Sequence, residues 1–257
     1  MKIAALQMQA VAGDVAANLA RIEDAAGEAS RLGARLLVAP ELAVTGYGAG
    51  DAMTALAEPA DGPIVQRLQS ISAQTGVAIV AGFAEAGSGA VWNSAVLVDG
   101  QDAPLVYRKS HLYGPYERGL FRPERPAAVT FDLDGISCGM LICYDVEFPE
   151  NVRRLAQAGC SLVLVPTALP ASDHAAFIAR QMVPVRAFEN QVFVAYVNHC
   201  GADPCYVYAG LSTVAAPDGS VLAAAGDTDE ALLIAEIDPT AYAASVGQNP
   251  YLRDLVI

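Results

Sequence analysis

The sequence predicts an α/β fold in which layers of helices pack against a mixed β-sheet. Residues 77–83, 91–98 and 104–109 have the pattern of three successive strands joined by Gly-rich turns, with little room for helices between them. Elsewhere strand and helix patterns alternate. A TIM barrel places a helix after every strand, so this mixture predicts layers instead. Because no repeat or biased linker divides the 257 residues, we predict a single domain over 1–257.

Helical periodicity and glycine or proline punctuation assign the other elements of the N-terminal half. Both predicted helices end at a glycine, and the second has Pro63 in its first turn. The predicted loops are rich in glycine or contain several prolines. The helices are predicted over 14–32 and 63–75, the other strands over 2–9 and 35–39, and the loops over 42–61 and 110–126.

The C-terminal half continues the alternation of strands and helices. We expect Ser172 to cap a long helix over 173–190 that bends at the internal Pro184. A shorter helix is expected from Phe148 to near Gly159. The tail from Pro239 has little hydrophobic periodicity. Strands are predicted over 128–132, 136–142, 161–165, 192–197, 206–215, 220–225 and 231–237.

Composition excludes several classes of function. At 54% hydrophobic and 17% charged residues, the chain can bury a sizeable core. A net charge of −13 argues against binding nucleic acid or an anionic membrane, since both need a basic face. No run of about 18 uncharged apolar residues predicts a membrane span, and the N-terminus has no convincing cleavage pattern. We therefore expect a cytoplasmic protein.

The cysteines predict reduced thiols and no metal centre. Five cysteines are an odd number and sparse for this length, which does not suit a disulfide framework. None forms the paired CxxC pattern of a zinc site. His199, Cys200 and Cys205 lie close in sequence but lack a fourth ligand at a suitable spacing.

One cysteine lies where a nucleophile can be presented. Residues 138–150, CGMLICYDVEFPE, contain an apolar run that ends at Cys143, then a turn, then a helical pattern. A helix N-terminus behind the thiol is expected to favour the thiolate. The alternative is that Cys143 is simply a core residue, because cysteine is among the most buried residue types.

Two charged residues follow buried runs in the same way. Glu41 comes after RLLVAP, and Lys109 comes after PLVYR. Ligands of layered α/β folds bind outside the carboxyl ends of strands, so a base, a cation and a thiol are predicted at one edge. Each residue has an ordinary alternative as a solvated surface group. A Cys–His hydrolase that uses His111 is also open from the residues alone.

Three blocks, VAPELAVTGY, YRKSHLYGPYE and GMLICYDVEFPE, resemble the nitrilase superfamily of carbon–nitrogen hydrolases in order and spacing. Lesser blocks, such as WNSAVLV and RAFENQVFVAYVN, extend the resemblance over nearly the whole chain. The resemblance implies a four-layer α-β-β-α sandwich with two mixed β-sheets. It also implies a homodimer, with a tail over 239–257 that crosses the interface, and no metal or organic cofactor.

The resemblance also implies roles for four side chains and one amide. Glu41 is then the general base, Lys109 the cation that stabilises the oxyanion, Cys143 the nucleophile, and Glu117 a second glutamate that positions substrate. The backbone N–H of Tyr144 is expected to complete the oxyanion hole with Lys109. Further residues are expected to line the pocket: Tyr47, Tyr113, Tyr116, Asp145, Glu147, Phe148, Thr167 and Ala168.

The segment after Cys143 bears on the substrate. True nitrilases of this superfamily usually have Cys-Trp-Glu, whereas this chain has Cys-Tyr-Asp, which is more similar to amidases. The resemblance implies hydrolysis of a small amide. N-carbamoyl amine or amino acid hydrolysis, nitrile hydrolysis and a silent binding protein remain alternatives. Asp145 or Glu147 is expected either to pair with a basic substrate group or to charge the N-terminus of the following helix.

Overall fold

The computed structural model describes residues 1–256, which form two mixed six-stranded β-sheets. In chain order the strands are β1 (Lys2–Gln7), β2 (Leu36–Val38), β3 (Ala78–Gly87), β4 (Ala90–Val98), β5 (Leu105–Arg108), β6 (Thr130–Leu133), β7 (Ile136–Met140), β8 (Leu162–Thr167), β9 (Phe193–Asn198), β10 (Thr213–Ala215), β11 (Val221–Ala224) and β12 (Ala231–Glu236). The first sheet has the order β12-β1-β2-β3-β4-β5, and the second β11-β10-β9-β8-β7-β6.

Helices cover the outer faces of both sheets. The α-helices are α1 (Val15–Arg31), α2 (Met53–Leu56), α3 (Pro63–Thr75), α4 (Gly114–Leu120), α5 (Pro149–Gln157), α6 (Ala175–Phe177), α7 (Val183–Asn190), α8 (Ala243–Gln248) and α9 (Tyr251–Asp254). Three short 3-10 segments span Tyr47–Ala52, Cys143–Glu147 and Pro239–Tyr242.

The side-chain alternation of the strands produces the layers. On one face of β2, Val38 shares a buried apolar cluster with Leu164 of the second sheet. On the other face, Leu37 packs in a separate cluster with Ile22 of α1 and Leu68 of α3. Side chains of α5 and α7 belong to the same cluster as Leu164, so these two helices pack against the second sheet. The four-layer α-β-β-α sandwich is therefore confirmed.

Strand direction brings the ends of distant strands to one edge. In the first sheet β1, β2 and β3 are parallel, and β4 runs antiparallel to both β3 and β5. As a result, β5 points the same way as β2. In the second sheet β7, β8 and β9 are parallel. The segments that follow β2 and β5 therefore leave the first sheet on the same side.

Two predicted loops and one predicted strand are wrong in part. The predicted loop 110–126 contains α4, which begins beside Pro115 because proline is compatible with the first turn of a helix. The predicted loop 42–61 contains a 3-10 helix and α2. The predicted strand 206–215 is reduced to β10, because its earlier residues form a loop in which Leu211 adopts a φ of +59°.

The helix predicted over 173–190 begins later and changes its pitch. Ser172 accepts a hydrogen bond from the Ala175 amide through its backbone carbonyl, so the predicted side-chain cap is wrong. Residues Ile178–Met182 are π-helical and α7 follows. Pro184 has no N–H for the usual bond four residues back, which accounts for the irregular pitch before it.

The tail packs against its own chain. The ring of Tyr242 lies 5.2 Å from that of Phe193, and the ring of Tyr251 lies 5.6 Å from that of Phe188. The final residue of the predicted tail, Ile257, lies outside the described residues. Within residues 1–256, every helix is too short or too polar to cross a bilayer.

Candidate active site

Glu41, Lys109, Glu117 and Cys143 come together in one buried site. The Lys109 Nζ atom lies 2.7 Å from Oε1 of Glu41 and 2.7 Å from Oε1 of Glu117, and all three side chains are fully buried. Cys143 is 7% exposed and lies within range of all three charges, each of which shifts its pKa. The structure therefore assembles the four predicted residues from segments far apart in the chain.

A tight turn after β2 holds Glu41. Leu42 has a φ of +50°, and a Cβ on Gly82 of β3 would lie 2.1 Å from the Leu42 amide nitrogen, so only glycine fits there. Glu41 Oε1 accepts hydrogen bonds from Lys109 and, at 2.6 Å, from Nδ2 of Asn93. Glu41 Oε2 is buried without a hydrogen-bond partner in residues 1–256. That oxygen is free to accept a proton.

Helix α4 places the second carboxylate beside Lys109. Glu117 Oε1 also accepts a hydrogen bond of 2.8 Å from the Tyr47 hydroxyl, and Oε2 accepts one of 2.8 Å from the Tyr113 amide. Burial alone would lower the pKa of Lys109, but Glu117 and Glu41 outweigh it and raise that pKa well above 10.5. Lys109 is therefore a permanent cation, and two of its three N–H donors point to carboxylates.

Cys143 follows β7 in a strained conformation, with a φ of +46°. Burial and then the Glu41 charge raise its pKa well above 9.0, against the opposing effect of Lys109. The expected thiolate is therefore wrong for the resting site. The physical reason is burial, which disfavours the charged form of the sulfur, while α5 begins further along the chain at Pro149. The thiol needs a base before it can attack.

The first turn after the thiol exposes the Tyr144 amide. Within residues 1–256 this N–H donates to no protein acceptor, as expected for the first amides of a helical turn. The Tyr144 ring lies 5.3 Å from that of Tyr113 and 5.0 Å from that of Phe148. An unpaired donor next to the sulfur can stabilise negative charge on a substrate oxygen.

Asp145 is fully buried, and its carboxylate is hydrogen-bonded to neighbouring segments of the chain. Its Oδ1 accepts hydrogen bonds from the amide and ring of His111, and its Oδ2 accepts from the Tyr107 hydroxyl and the Ile142 amide. These bonds occupy both carboxylate oxygens. These bonds argue against the substrate-binding role predicted for Asp145. Its bond from the Ile142 amide caps the 3-10 turn that begins at Cys143, and its bonds from His111 and Tyr107 tie this turn to the Lys109 segment.

His111 is placed as a structural partner. Its Nδ1 lies 2.8 Å from Asp145, and its ring stacks on Phe148 at 4.0 Å. The charges that shift the Cys143 pKa belong instead to Glu41, Lys109 and Glu117. The geometry consequently favours the Glu–Lys–Cys arrangement over a Cys–His pair.

The remaining candidate pocket residues separate into two groups. Tyr47, Ala168 and Tyr116 lie in or against one apolar cluster, and the Ala168 backbone is hydrogen-bonded to Cys143. Thr167 is fully buried, and its hydroxyl donates to the Val165 carbonyl at 2.9 Å. Tyr113 is 47% exposed, whereas Phe148 and Glu147 are half-buried.

Sequence reasoning missed two residues that hold Glu41. Asn93 donates to the Glu41 carboxylate, and Nε2 of His199 lies 2.7 Å from the Glu41 carbonyl oxygen. An asparagine in the apolar strand block WNSAVLV was the available signal, because a buried polar side chain requires a partner. Within residues 1–256, no three His, Cys, Asp or Glu side chains form a group that could hold a metal ion.

The charge of Glu117 makes stability depend on pH. Burial raises its pKa to about 7, although Lys109 opposes the shift, and Glu41 adds to it. Because the folded pKa exceeds the unfolded one, the native state loses stability as pH rises from about 4.5 through about 7. Glu117→Gln removes this ionisation. Its free energy of unfolding relative to wild type should therefore rise between about pH 5 and about pH 8, as measured by urea unfolding. Parallel curves for the two proteins would contradict this prediction.

Comparison with known proteins places this site in a family. The carbon-nitrogen hydrolase family model matches residues 2–245. A hydrolase of Pseudomonas protegens is 44% identical to this chain, over 99% of this chain and 88% of the hydrolase. An (R)-stereoselective amidase of Pseudomonas sp. is 39% identical, over 99% of this chain and 91% of the amidase. The chain is also similar to a solved structure, a mutant of the amidase from Nesterenkonia sp. AN1, with a TM-score of 0.88 and 34% sequence identity over 99% of this chain and 93% of that one. That structure shows the acetamide moiety of fluoroacetamide added covalently at the active site cysteine of the amidase. This chain therefore belongs to the carbon–nitrogen hydrolase family of the nitrilase superfamily.

Proposed function

We propose that the protein hydrolyses the non-peptide C–N bond of a small amide, producing a carboxylic acid and ammonia through a thioester on Cys143. One observation carries this proposal. The neutral Cys143 thiol shares a buried site with Glu41, whose Oε2 is unpaired, and with a permanently charged Lys109. A nucleophile, a base and an oxyanion donor are the parts that acyl transfer requires.

The first half-reaction forms the acyl-enzyme. Glu41 Oε2 takes the thiol proton while the sulfur of Cys143 attacks the amide carbon. The oxyanion is stabilised by Lys109 and the Tyr144 N–H, each donor being worth about 3–4 kcal/mol in a dry site. The C–N bond then breaks, Glu41 returns its proton to the nitrogen, and ammonia leaves.

The second half-reaction releases the acid. Glu41 is again a carboxylate, so it can take a proton from water as the water oxygen attacks the thioester carbon. The same donors hold the second oxyanion. When the C–S bond breaks, the proton on Glu41 returns to the sulfur. Atoms and charge balance as amide plus water giving acid plus ammonia, and the site returns to its resting state.

Measuring ammonia release from panels of amides, N-carbamoyl compounds and nitriles tests this function. We expect wild-type protein to release ammonia from simple amides faster than from N-carbamoyl compounds or nitriles, with Cys143→Ala as the blank. Faster turnover of carbamoyl amines or amino acids, or of nitriles, would favour those alternatives. No release above the blank from any class would favour a silent binding protein of the same fold.

The proposal extends to a cytoplasmic homodimer in which the tail over 239–257 contributes to the interface. Phe177, Val185 and Tyr251 of α6, α7 and α9 are between 40% and 59% exposed, and α9 packs beside α7. Such exposed apolar side chains favour an interface. We expect a dimer mass by sedimentation equilibrium, lowered when residues 250–257 are deleted; a monomer at all concentrations would contradict it.

A further inference from the structure

We propose that Glu147 makes the site selective for amides that carry a cationic amine, with the carboxylate pairing with that amine while Cys143 attacks the amide carbon. The inference rests on the proposed function, since it names the substrate class of the same site. It concerns a side chain that the mechanism above does not use.

Glu147 is a carboxylate without a partner. It lies four residues after the nucleophile and closes the same 3-10 turn. Its side chain is half-buried, and within residues 1–256 its carboxylate accepts no hydrogen bond and forms no ion pair. Burial raises the pKa of Glu147, and the charges of Lys109 and Arg186 oppose that rise, so the carboxylate lies within Coulombic range of both cations. A partly desolvated, unpaired carboxylate favours a cationic partner.

The nearby Arg186 guanidinium lowers the pKa of Glu147 through its charge, but within residues 1–256 it forms no ion pair with the Glu147 carboxylate. Arg186 donates to the Val146 carbonyl at 3.0 Å, to the Glu147 carbonyl at 2.8 Å and to the Glu189 carboxylate at 2.9 Å. These bonds use three of its five N–H donors, and each acceptor is a group other than the Glu147 side chain. Arg186 therefore fixes the backbone of the turn and leaves the carboxylate available.

The helix that follows does not explain Glu147 either. Phe148 occupies the N-cap position of α5 without a side-chain cap, and Glu150 is the acidic residue of the first turn. Glu147 precedes the cap, and its carboxylate bonds to no amide of α5. The helix-end role expected from the sequence therefore belongs to Glu150.

The charge balance of the site points the same way. Glu41, Glu117 and Glu147 bring three carboxylates against the Lys109 ammonium and the Arg186 guanidinium, and Arg186 is already paired with Glu189. Arg118 lines a neighbouring cleft with Tyr144, but it is exposed, so its attraction for an anion is screened. A net charge of −13 adds long-range attraction for cations. An amide bearing a carboxylate meets repulsion instead.

Three amides of similar shape test the inference: 4-aminobutanamide is cationic, pentanamide neutral and succinamate anionic. For wild type we expect kcat/KM to be roughly tenfold or more higher for the cationic than for the neutral amide, and lowest for the anionic one. Added salt should reduce the cationic preference. Glu147→Gln should bring the cationic-to-neutral ratio close to one, and Glu147→Asp should keep it above one. Glu150→Gln, an exposed change of the same charge, should leave the ratio at its wild-type value.

Equal rates on cationic and neutral amides, or a ratio that Glu147→Gln does not change, would overturn the inference. Failure of the proposed function is distinguishable, because it means no turnover of any amide above the Cys143→Ala blank. In that case calorimetry with the Cys143→Ala protein decides the inference alone. Tighter binding of 4-aminobutanamide than pentanamide supports it, and equal binding overturns it.

Discussion

Cys143→Ala is expected to lower kcat/KM for a small amide by about 10⁴-fold or more, because no thioester can form without the sulfur. Glu41 and Lys109 would remain in place, but water alone would then have to attack the amide. The substitution removes a single buried atom next to Ala168, so folding should be retained, with a cost of about 1 kcal/mol. The loss of activity is therefore chemical and not structural.

Two measurements check this result. Steady-state ammonia release gives the rate, and mass spectrometry of acid-quenched protein detects the acyl adduct, which is expected in wild type and absent in Cys143→Ala. Cys138→Ala is the matched control, since Cys138 is fully buried on β7 just before the nucleophile turn. It should stay within a few-fold of wild type. A variant at Cys143 with substantial activity, or an adduct on another residue, would refute the assignment.

Lys109→Met is expected to impair both stability and activity. Removing the ammonium leaves Glu41 and Glu117 buried together without a cation, and breaking a buried pair in this way costs about 3–5 kcal/mol. Loss of an oxyanion donor lowers kcat by about 10²–10³-fold. The two carboxylates would then repel each other with no cation between them.

Urea unfolding and amide turnover measure the two effects separately. Lys2→Met is the control, because Lys2 is the other lysine of the chain and donates to the Leu32 carbonyl near the surface. Adding Glu117→Gln to Lys109→Met should restore part of the stability but not the activity, since it removes one unpaired charge without restoring the ammonium. Restored activity in the double variant would argue against a role for Lys109 with the oxyanion.

The sequence by itself determined the family and the fold class, and it predicted the four residues that the structure brings together. Glu41, Lys109 and Cys143 each follow an apolar run, and local hydrophobicity suffices to locate the ends of buried strands. The three blocks then made the resemblance specific, and the whole-chain family match confirms it. These conclusions depend on residues close together in the sequence, which is why a reading of the sequence reached them.

Only the tertiary structure decided how those residues are charged and supported. Lys109 meets Glu41 across 68 positions of the chain, and Asp145 reaches Tyr107 across 38. Burial in the folded chain, together with the Glu41 charge, raises the pKa of Cys143 and keeps its thiol neutral, contrary to the thiolate that the local helix pattern suggested. Because burial and pairing are properties of the folded arrangement, local patterns could place Asp145 and Glu147 near the site but not show which of them is free to bind a substrate.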